Sequence, residues 1–423
     1  MVGLPKKVCI IGAGISGLSV ALNLRESGYQ GMISVFEREG RSGGRILSRP
    51  GKGGITIFDL GAGRFNKHHH PGVSTLCLKF GLELEPFDYQ VNYRASSNGS
   101  TLMEKADLRT LVQTIVEHLS ASALQGEIFS AACKRIVAEK DFRKLCMISG
   151  YDTLNNPRLS VAGGLAILLH HPETQCLLNG KMDNWYRIKN GFQSVIEATV
   201  SQAQTCGISI RYGCSLRDIT SRDEYGVCIQ FDTPDGETSE GCDMLVLASP
   251  PRHVVKILTR NESMKAHLPK PFVDIPVTKV FFEFNRPWWN DYGFYDSCVI
   301  ADSSARKLYL SDTNSVAWFM CDGPSALEVY QDLTAAERSP LNFISQHLGV
   351  TIPGDVELVS FDYKFWAEAV SFCPQNDDAT PSFHKVAHNI VMCSDTFTDS
   401  MGWVEGSLQS ARAVSNHILN TWP

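Results

Sequence analysis

The sequence predicts an α/β fold in which a Rossmann-like domain, assembled from separated segments, contains an inserted mixed antiparallel sheet and a helical subdomain. Three observations predict it. Residues 8–66 follow the order strand, glycine turn, helix, strand, acidic residue and second glycine-rich loop, which is typical of a βαβ unit and its continuation. Residues 244–247 are continuously apolar, as a strand buried in a parallel sheet is. Residues 272–284 begin a series of alternating segments that predicts a second, largely antiparallel sheet.

The remaining periodic segments divide the chain into three predicted regions. We predict helices over 104–124, 141–149, 158–170 and 403–420, and strands over 208–210, 227–231, 306–310, 315–320, 356–361 and 390–394. The helices indicate a helical substrate subdomain at 85–185, and the strands indicate a substrate-binding sheet domain at 271–379. Residues 1–84, 186–270 and 380–423 are predicted to form the dinucleotide-binding domain.

Composition and charge exclude several classes of protein. The chain has 423 residues, a formal net charge of -6 and no block of Lys and Arg, so we expect no nucleic-acid partner. Its 13 cysteines are odd in number and irregularly spaced, which favours free thiols in a reducing compartment. We find no secretory leader and no run of about 18 apolar residues, and therefore expect a soluble, cytoplasmic protein that does not cross a membrane.

The first glycine turn follows a strand and begins a helix. In Gly12-Ala13-Gly14-Ile15-Ser16-Gly17, the first glycine permits a tight turn and the second lets the backbone approach a pyrophosphate. The third, Gly17, lets the helix pack closely on the strand. Glu37 lies at the end of the next strand, where a carboxylate accepts hydrogen bonds from ribose hydroxyls and disfavours a 2′-phosphate. The pattern predicts a bound dinucleotide but does not separate NAD from FAD.

Two further blocks separate the alternatives. Residues 37–45 end in Ser42-Gly43-Gly44-Arg45, whose backbone N–H groups and guanidinium are suited to the same pyrophosphate. Residues 59–65 then form the block Asp-Leu-Gly-Ala-Gly-Arg-Phe. The plainer alternative is two surface loops with solvated arginines. The order and spacing of the blocks favour a cofactor site.

These ordered blocks resemble the flavin amine oxidases. That family has a GxGxxG turn, an acidic residue, a GGR turn, a Leu-Gly-Ala block and a final Gly-Trp segment that leads into the last helix. Here the final blocks are Cys393-Ser394-Asp395 and Gly402-Trp403, with Asp395 in place of the family's Glu. The resemblance implies a Rossmann-like FAD-binding domain of the GR2 type. Because no Cys stands in an attachment motif, we expect non-covalent FAD.

The resemblance also implies which residues bind the cofactor. The backbone of Leu216 is expected to contact adenine, and Trp366 and Trp403 are expected to form aromatic walls of the flavin site. The implied cofactor-binding residues are Gly12, Gly14, Ile15, Ser16, Gly17, Glu37, Arg38, Gly43, Gly44, Arg45, Gly61, Ala62, Gly63, Arg64, Leu216, Trp366, Asp395, Gly402, Trp403 and Val404.

Within the family, the chain is most similar to the L-tryptophan oxidases of violacein biosynthesis, and the shared stretches include Gly150-Tyr151-Asp152, His171-Pro172-Glu173, Pro287-Trp288-Trp289 and Phe365-Trp366-Ala367. This resemblance implies three catalytic residues: Arg64 holds the substrate carboxylate, Lys279 holds a water near flavin N5, and Tyr309 is a second carboxylate ligand. The implied substrate pocket consists of Tyr151, Thr153, His171, Met401 and Trp403. Thr153 and Met401 differ from the small residue and the Cys of those relatives, which implies a narrowed or reshaped pocket.

The implied reaction is oxidation of an L-amino acid. The expected substrate is L-tryptophan or another large aromatic L-amino acid. Hydride transfer from Cα to flavin N5 would leave the imino acid, or the 2-oxo acid and ammonia after hydrolysis, and O2 would be reduced to hydrogen peroxide. Two alternatives remain open: a monoamine or polyamine oxidase, and a flavin-dependent isomerase without net oxidation. A third, a non-catalytic flavin scaffold, is disfavoured by Lys279. The expected partners are the amino acid and O2, an enzyme that consumes the imine, and a second copy of the chain in a homodimer.

Several residues have a structural interpretation beside the functional one. Lys279 and Tyr309 both lie in alternating strands, where they could form a polar face. The three residues His68–His70 do not have metal-ligand spacing, so we predict an exposed loop and no metal. Trp288 and Trp289 are predicted to be packing residues. Glu405 is predicted to interact with the start of its own helix.

Overall fold

The structure is a computed structural model, and it describes residues 4–52, 56–94, 104–120, 127–221, 226–269, 272–335, 339–372 and 382–421. Residues 121–124 of one predicted helix lie outside the described residues. So do the predicted domain boundaries at 270–271 and 379–380.

The described residues form 20 β-strands and 13 α-helices. The strands are β1 (Lys7–Ile11), β2 (Met32–Phe36), β3 (Ser48–Pro50), β4 (Ile57–Asp59), β5 (Phe65–Asn66), β6 (Leu84–Pro86), β7 (Gln90–Arg94), β8 (Trp185–Ile188), β9 (Ser209–Arg211), β10 (Ser215–Ser221), β11 (Val227–Thr233), β12 (Gly236–Cys242), β13 (Met244–Leu247), β14 (Val273–Phe284), β15 (Ser297–Ala301), β16 (Lys307–Ser311), β17 (Val316–Asp322), β18 (Leu358–Phe372), β19 (His384–Ala387) and β20 (Ile390–Met392). The helices are α1 (Ile15–Glu26), α2 (Pro71–Lys79), α3 (Lys105–Ser120), α4 (Phe129–Ile136), α5 (Glu139–Ser149), α6 (Val161–His170), α7 (Pro172–Asn179), α8 (Gln193–Thr205), α9 (Pro251–Leu258), α10 (Glu262–Lys265), α11 (Gly323–Thr334), α12 (Pro340–Leu348) and α13 (Val404–Thr421). Short 3₁₀ helices span Asp152–Asn155, Trp288–Tyr292 and Asp395–Phe397.

The first sheet is parallel except at one edge. Its order is β19-β20-β13-β1-β2-β9, with β19 antiparallel to β20. Because successive side chains of a strand point to opposite faces, Val8 and Ile10 join an apolar cluster with α1, α8 and α13. Cys9 and Ile11 pack on the other face against the small antiparallel sheet β10-β11-β12. The sheet therefore lies between a helical layer and a second, smaller sheet, with its strand ends free for a ligand.

The second large sheet has the order β18-β14-β17-β16-β15-β7. Its strands are antiparallel apart from β7, which pairs in parallel with β15. One face, with Val280 and Phe282, packs against α11 and α12. The opposite face shares an apolar cluster with the helices α3 to α6. This second face also supplies side chains to the site described below.

Two rows of side chains cross the second face of this sheet. Lys279 pairs with Met320, and Met320 pairs with Lys307, so these three side chains lie in one row. In the next row Phe281, Trp318 and Tyr309 are stacked, with ring centroids 5.4 Å and 4.0 Å apart. The register therefore places two lysines on either side of a methionine, above a continuous aromatic row.

The predicted architecture is observed, with differences at the level of single elements. The helix predicted at 158–170 begins later, at Val161, because the Ser160 hydroxyl accepts a 3.2 Å bond from the N–H of Gly163 and caps it. Trp288 and Trp289 are completely buried, as predicted for packing residues. The sequence patterns did not predict β7, β15, α11 or α12. The strand predicted at 356–361 is longer in the structure, where β18 continues to Phe372.

Candidate active site

A cavity of about 690 Å³ lies between the two large sheets. At one end it is lined by Ile11 and Gly12, where β1 ends, and at the other by Lys279 and Phe281 of β14. Ligands of open α/β sheets bind outside the carboxyl ends of the parallel strands, which is where this cavity begins. One continuous space therefore joins the predicted dinucleotide turn to the predicted catalytic residues.

The glycine turn has the geometry that close approach to an anion requires. Gly12 has a φ of +106°, and a Cβ there would lie 2.7 Å from the carbonyl oxygen of Ala248. Gly14 lines the cavity and has no atom within 4 Å of a built Cβ, so its backbone faces open space. A Cβ on Gly17 would lie 2.1 Å from the Gly12 carbonyl oxygen. Gly17 is consequently a packing position, whereas Gly14 is open to a ligand.

Glu37 and Arg45 fix the loops around this turn. Glu37 Oε2 accepts a 2.8 Å hydrogen bond from the N–H of Ala13, and its other oxygen accepts one of 2.9 Å from Glu39. Arg45 donates to Asp395 at 2.5 Å and to the Ala369 carbonyl at 2.7 Å. The second glycine turn thus joins β18 and the segment before α13. The Asp395 acid is fully paired, because its other oxygen accepts the Gly402 N–H at 3.0 Å.

The residues present fit an FAD. Every residue of the implied cofactor set lines the cavity except Gly17, whose position is inside the helix–strand contact. Gly61 is required in this wall, since a Cβ would lie 2.0 Å from the Arg45 carbonyl oxygen. Two thiols also line the cavity, and burial raises the pKa of Cys214 and that of Cys393, the latter to about 12. Neither thiol is activated as a nucleophile, which favours the predicted non-covalent binding.

Lys279 lies in the cavity wall with its ammonium directed at the backbone of the Leu-Gly-Ala block. Its Nζ donates to the carbonyl oxygens of Asp59 at 2.9 Å and Gly61 at 2.7 Å. Burial lowers the pKa of Lys279 to about 7, although the nearby Asp59 carboxyl opposes the shift. Near pH 7 this side chain therefore exists in both protonation states and can exchange a proton with a bound molecule or water.

Arg64 lies at the substrate end of the cavity and is held from behind. One nitrogen, Nη1, donates to Glu173 Oε1 at 2.9 Å and to the Tyr309 hydroxyl at 2.5 Å. The Tyr309 hydroxyl in turn donates to the same Glu173 oxygen. Burial alone would raise the pKa of Glu173, but the attraction of Arg64 and Lys307 outweighs it and lowers that pKa to about 2. Glu173 is therefore a carboxylate at all ordinary pH values.

Tyr309, predicted to be a second carboxylate ligand, lies directly against Arg64. Its side chain is completely buried and does not line the cavity, and its hydroxyl bonds to Arg64 and Glu173. Tyr309 is not part of a solvated polar face, because β16 is buried on both faces. Tyr309 therefore helps to hold Arg64, and its contact with a substrate carboxylate stays a prediction.

The implied pocket residues all line the cavity near Arg64. The Tyr151 hydroxyl lies 2.7 Å from Nδ1 of His171 and accepts a long, 3.4 Å bond from Arg64. The hydroxyl and the N–H of Thr153 both donate to Asp322, and burial raises the pKa of that carboxyl to about 6. These two hydrogen bonds fix Thr153 in the cavity wall, because Asp322 is the last residue of β17.

Aromatic rings close the cavity around these polar groups. Trp366 donates its indole N–H to the Leu60 carbonyl at 2.7 Å, which fixes its ring. The Trp403 ring lies 4.6 Å from that of His70 and 5.3 Å from that of His171. A planar side chain entering this space meets aromatic surfaces on more than one side.

One expectation from the sequence is wrong. His70 is buried and lines the cavity, because Trp185 and Trp403 pack on its ring; only His68 and His69 are exposed. Glu405 lies in the first turn of α13, as predicted. Its carboxylate oxygens also accept the N–H groups of Gly72 and Val73, each at 3.1 Å, and so cap α2. Among the described residues there is no group of three or more side chains suited to a metal.

Sequence analysis missed Glu173, Lys307 and Asp322 as members of the site. Glu173 stood in a matched block beside His171, but only the histidine was assigned a role. Lys307 lies two residues before Tyr309 and therefore on the same face of β16, which is a signal that the strand period offered. Asp322 gave no signal, since its position at the end of β17 depends on a long-range contact with Thr153.

The fold and the cavity lining fit a protein that binds FAD. The sequence profile described as flavin containing amine oxidoreductase matches residues 15–419. The chain belongs to this family, and its cofactor is FAD. Among the described residues, no helix is both long and apolar enough to cross a membrane.

Curated relatives include L-amino acid oxidases. The oxidase Bs29 of Bothriechis schlegelii is 24% identical over 329 residues, which are 72% of this chain and 65% of that protein. The L-amino-acid oxidase of Bungarus fasciatus is 23% identical over 462 aligned residues, covering 98% and 87% of the two chains. The matched region spans only 65% of the length of the Bothriechis schlegelii oxidase and of the L-amino-acid oxidase of Protobothrops flavoviridis.

Solved structures with the same fold include amine oxidases. Wild-type putrescine oxidase bound to putrescine superposes with a TM-score of 0.71 at 17% identity, over 98% of this chain and 99% of that one. Cyclohexylamine oxidase from Brevibacterium oxydans IH-35A gives a TM-score of 0.69 at 18% identity, over 98% of both chains. At such identities these likenesses establish the fold alone.

Proposed function

We propose that this protein is an FAD-dependent L-amino acid oxidase that acts on a large aromatic L-amino acid. The observation that supports this most is the charge around Arg64. Arg64 and Lys307 are two buried cations that share one carboxylate, Glu173. The group formed by Arg64, Lys307 and Glu173 contains two cations and one anion beside the cavity, and a substrate carboxylate would compensate the charge of Arg64. An amine without a carboxylate would leave that charge uncompensated.

Arg64 is suited to bind and orient the carboxylate. It presents a planar fork of donors, and Glu173 and Tyr309 use only Nη1 at short range. The Nη2 contact to Tyr151 is long, at 3.4 Å, and can be exchanged for a stronger acceptor. A carboxylate bound here would place Cα between the guanidinium and the flavin end of the cavity, and so limit the orientations that the amino group can adopt.

We propose that Lys279 accepts the proton that the substrate amine must lose. The substrate amine must be neutral before its Cα is oxidised, and Lys279, directly or through a water, is a base of suitable strength in the same wall. FAD, when bound, would supply the acceptor for the two electrons lost by the substrate; O2 would take up these two electrons and two protons to give hydrogen peroxide. The aromatic walls exclude bulk water from this step.

The preference for a large aromatic side chain rests on the lining of the cavity. Phe87, Tyr89 and Trp318 extend the aromatic surface beyond Arg64, and Ile167 of α6 adds an apolar wall. Planar side chains gain stacking contacts in such a space that short aliphatic side chains do not. Thr153 and Met401 narrow the lining, which we expect to tune the choice among indole, phenol and phenyl groups.

The test is peroxide release by the purified holoenzyme with the twenty L-amino acids, their D-isomers, and amines that include putrescine, cyclohexylamine and tryptamine. We expect turnover with aromatic L-amino acids and none with D-isomers. Turnover confined to amines would replace the proposal with an amine oxidase, and substrate conversion without peroxide would replace it with an isomerase. The cytoplasmic location, the homodimer and the enzyme that consumes the imine stay predictions.

A further inference from the structure

We propose that Glu173 and Lys307 are positioning residues that set the direction and the net charge of the Arg64 site, and so determine how strongly it attracts a carboxylate. This inference rests on the proposed function. Neither side chain lines the cavity, so both act through residues that do.

Glu173 sets the direction of Arg64. It is completely buried at the start of α7, and its Oε1 is the shared acceptor for Arg64 and Tyr309. The backbone carbonyl of Glu173 accepts the Tyr93 hydroxyl at 3.2 Å, which ties the start of this helix to β7. The carboxylate therefore has little freedom, and the guanidinium that it holds has little freedom either.

Lys307 supplies the second cation. Its Nζ lies 3.7 Å from Glu173 Oε2 and 3.3 Å from the ring centroid of Tyr151. Neither Nζ nor Oε2 has a hydrogen-bond partner among the described residues, so the two are joined by charge alone. The fold makes room for this lysine: a Cβ on Gly150, which has a φ of +64°, would lie 2.4 Å from Lys307 Cγ.

Other charged groups lie near the site. Lys279 faces the Asp59 carboxyl, and Arg306 is paired with Asp152 at 2.8 Å. Asp322 accepts hydrogen bonds from the N–H groups of Asp152 and Thr153, and its carboxylate also attracts Lys307. Arg64, Lys307 and Glu173, taken by themselves, contain two cations and one anion.

A merely structural role does not account for this arrangement. A buried ion pair is commonly no more stable than apolar side chains of the same size, so core packing gives no reason to keep a lysine here. A wholly buried lysine without a hydrogen bond is also costly. Attraction of an anionic ligand to the adjacent guanidinium is an advantage that apolar residues could not supply.

The test is a charge series on the FAD-loaded enzyme. Indole-3-acetate is the carboxylate probe, and 3-methylindole is its uncharged control. Both Kd values are measured by calorimetry or from the visible flavin spectrum. Their ratio gives the contribution of the carboxylate to binding. Lys307→Met reduces the net charge of the group to zero, Glu173→Gln raises it to two, and the double variant restores one. We expect Lys307→Met to weaken carboxylate binding about tenfold. Glu173→Gln should strengthen it, and the double variant should lie close to wild type.

Catalysis separates position from charge. Glu173→Gln should lower kcat for an aromatic L-amino acid about tenfold without raising KM, because Arg64 loses its anchor while keeping its charge. Lys307→Met should mainly raise KM. Lys181→Met is the matched control: this lysine is exposed and does not line the cavity, so the variant should have the same kcat and KM as wild type. If Lys307→Met does not fold, Glu173→Gln and the double variant should still differ about tenfold in carboxylate affinity.

Two outcomes separate failure of this inference from failure of the proposed function. If Arg64→Met weakens indole-3-acetate binding but the charge series shows no ordered change, Glu173 and Lys307 are structural and the inference is wrong. If Arg64→Met leaves the Kd ratio unchanged, no carboxylate binds at Arg64, and both the inference and the proposed function are overturned.

Discussion

Nη1 of Arg64 lies 2.9 Å from Oε1 of Glu173, and the side chains of these residues are 8% and 0% exposed. A cation in the wall of a cavity is thus held from the protein side by an anion that no ligand reaches. The remaining face of the guanidinium is open to the cavity. This arrangement gives Arg64 a fixed direction without cancelling the positive charge of the site, because Lys307 shares the same carboxylate.

Gly14 and Gly17 of the first glycine turn should respond differently to replacement by valine. Gly14→Val adds a side chain into open space, so the apoprotein should fold like wild-type apoprotein but bind FAD at least about tenfold more weakly. Gly17→Val forces atoms into the Gly12 carbonyl and should destabilise the fold by about 3 kcal/mol or more. Flavin content and the Tm of the stripped proteins distinguish the two. Equal Tm losses would contradict the assignment of Gly14 to the cofactor.

Lys279 should produce an acidic limb in the pH profile. Burial lowers the pKa of Lys279 to about 7, so the neutral amine that accepts a proton accumulates as pH rises through 7, and kcat should rise with it. Lys279→Met should lower kcat about 100-fold and remove this limb. Lys385→Met, at an exposed lysine, is the control. An unchanged limb in Lys279→Met would assign the proton step to another group.

Glu405 should matter for stability and not for chemistry. Its carboxylate caps the start of α2 by accepting two N–H groups. Glu405→Ala leaves these donors without a partner and should cost about 1–3 kcal/mol in the free energy of unfolding. Activity per bound flavin should stay within about twofold of wild type, since the residue does not line the cavity. A Tm equal to that of wild type would show that the cap is not needed.

The flavin should leave the protein on denaturation. Acid precipitation of the yellow enzyme is expected to release FAD into the supernatant, because neither thiol in the cavity wall is activated for attachment. Yellow colour retained in the pellet would contradict this. Cys214→Ser and Cys393→Ser would then identify the attached residue.

How far the sequence predicts the site depends on the range of the interactions. The glycine turns, Glu37 and the Leu-Gly-Ala block were predictable because their geometry is local and their spacing is fixed by a single βαβ unit. The roles of Glu173 and Lys307 were not, because the contact between them arises only when α7 packs beside β16. The hydrogen bonds of Tyr309 to Arg64 and Glu173 were not predictable either. A strand buried on both faces gives no period that tells which side chains reach a cavity.

The most direct test of the account compares one aromatic L-amino acid with the amine that lacks its carboxylate, such as L-tryptophan and tryptamine, in the wild-type enzyme and in Arg64→Met. The account predicts that Arg64→Met lowers kcat/KM for the amino acid by at least about 100-fold and leaves the weak activity toward the amine within about threefold. Equal losses for both substrates, or wild-type turnover of the amine at the rate of the amino acid, would contradict it.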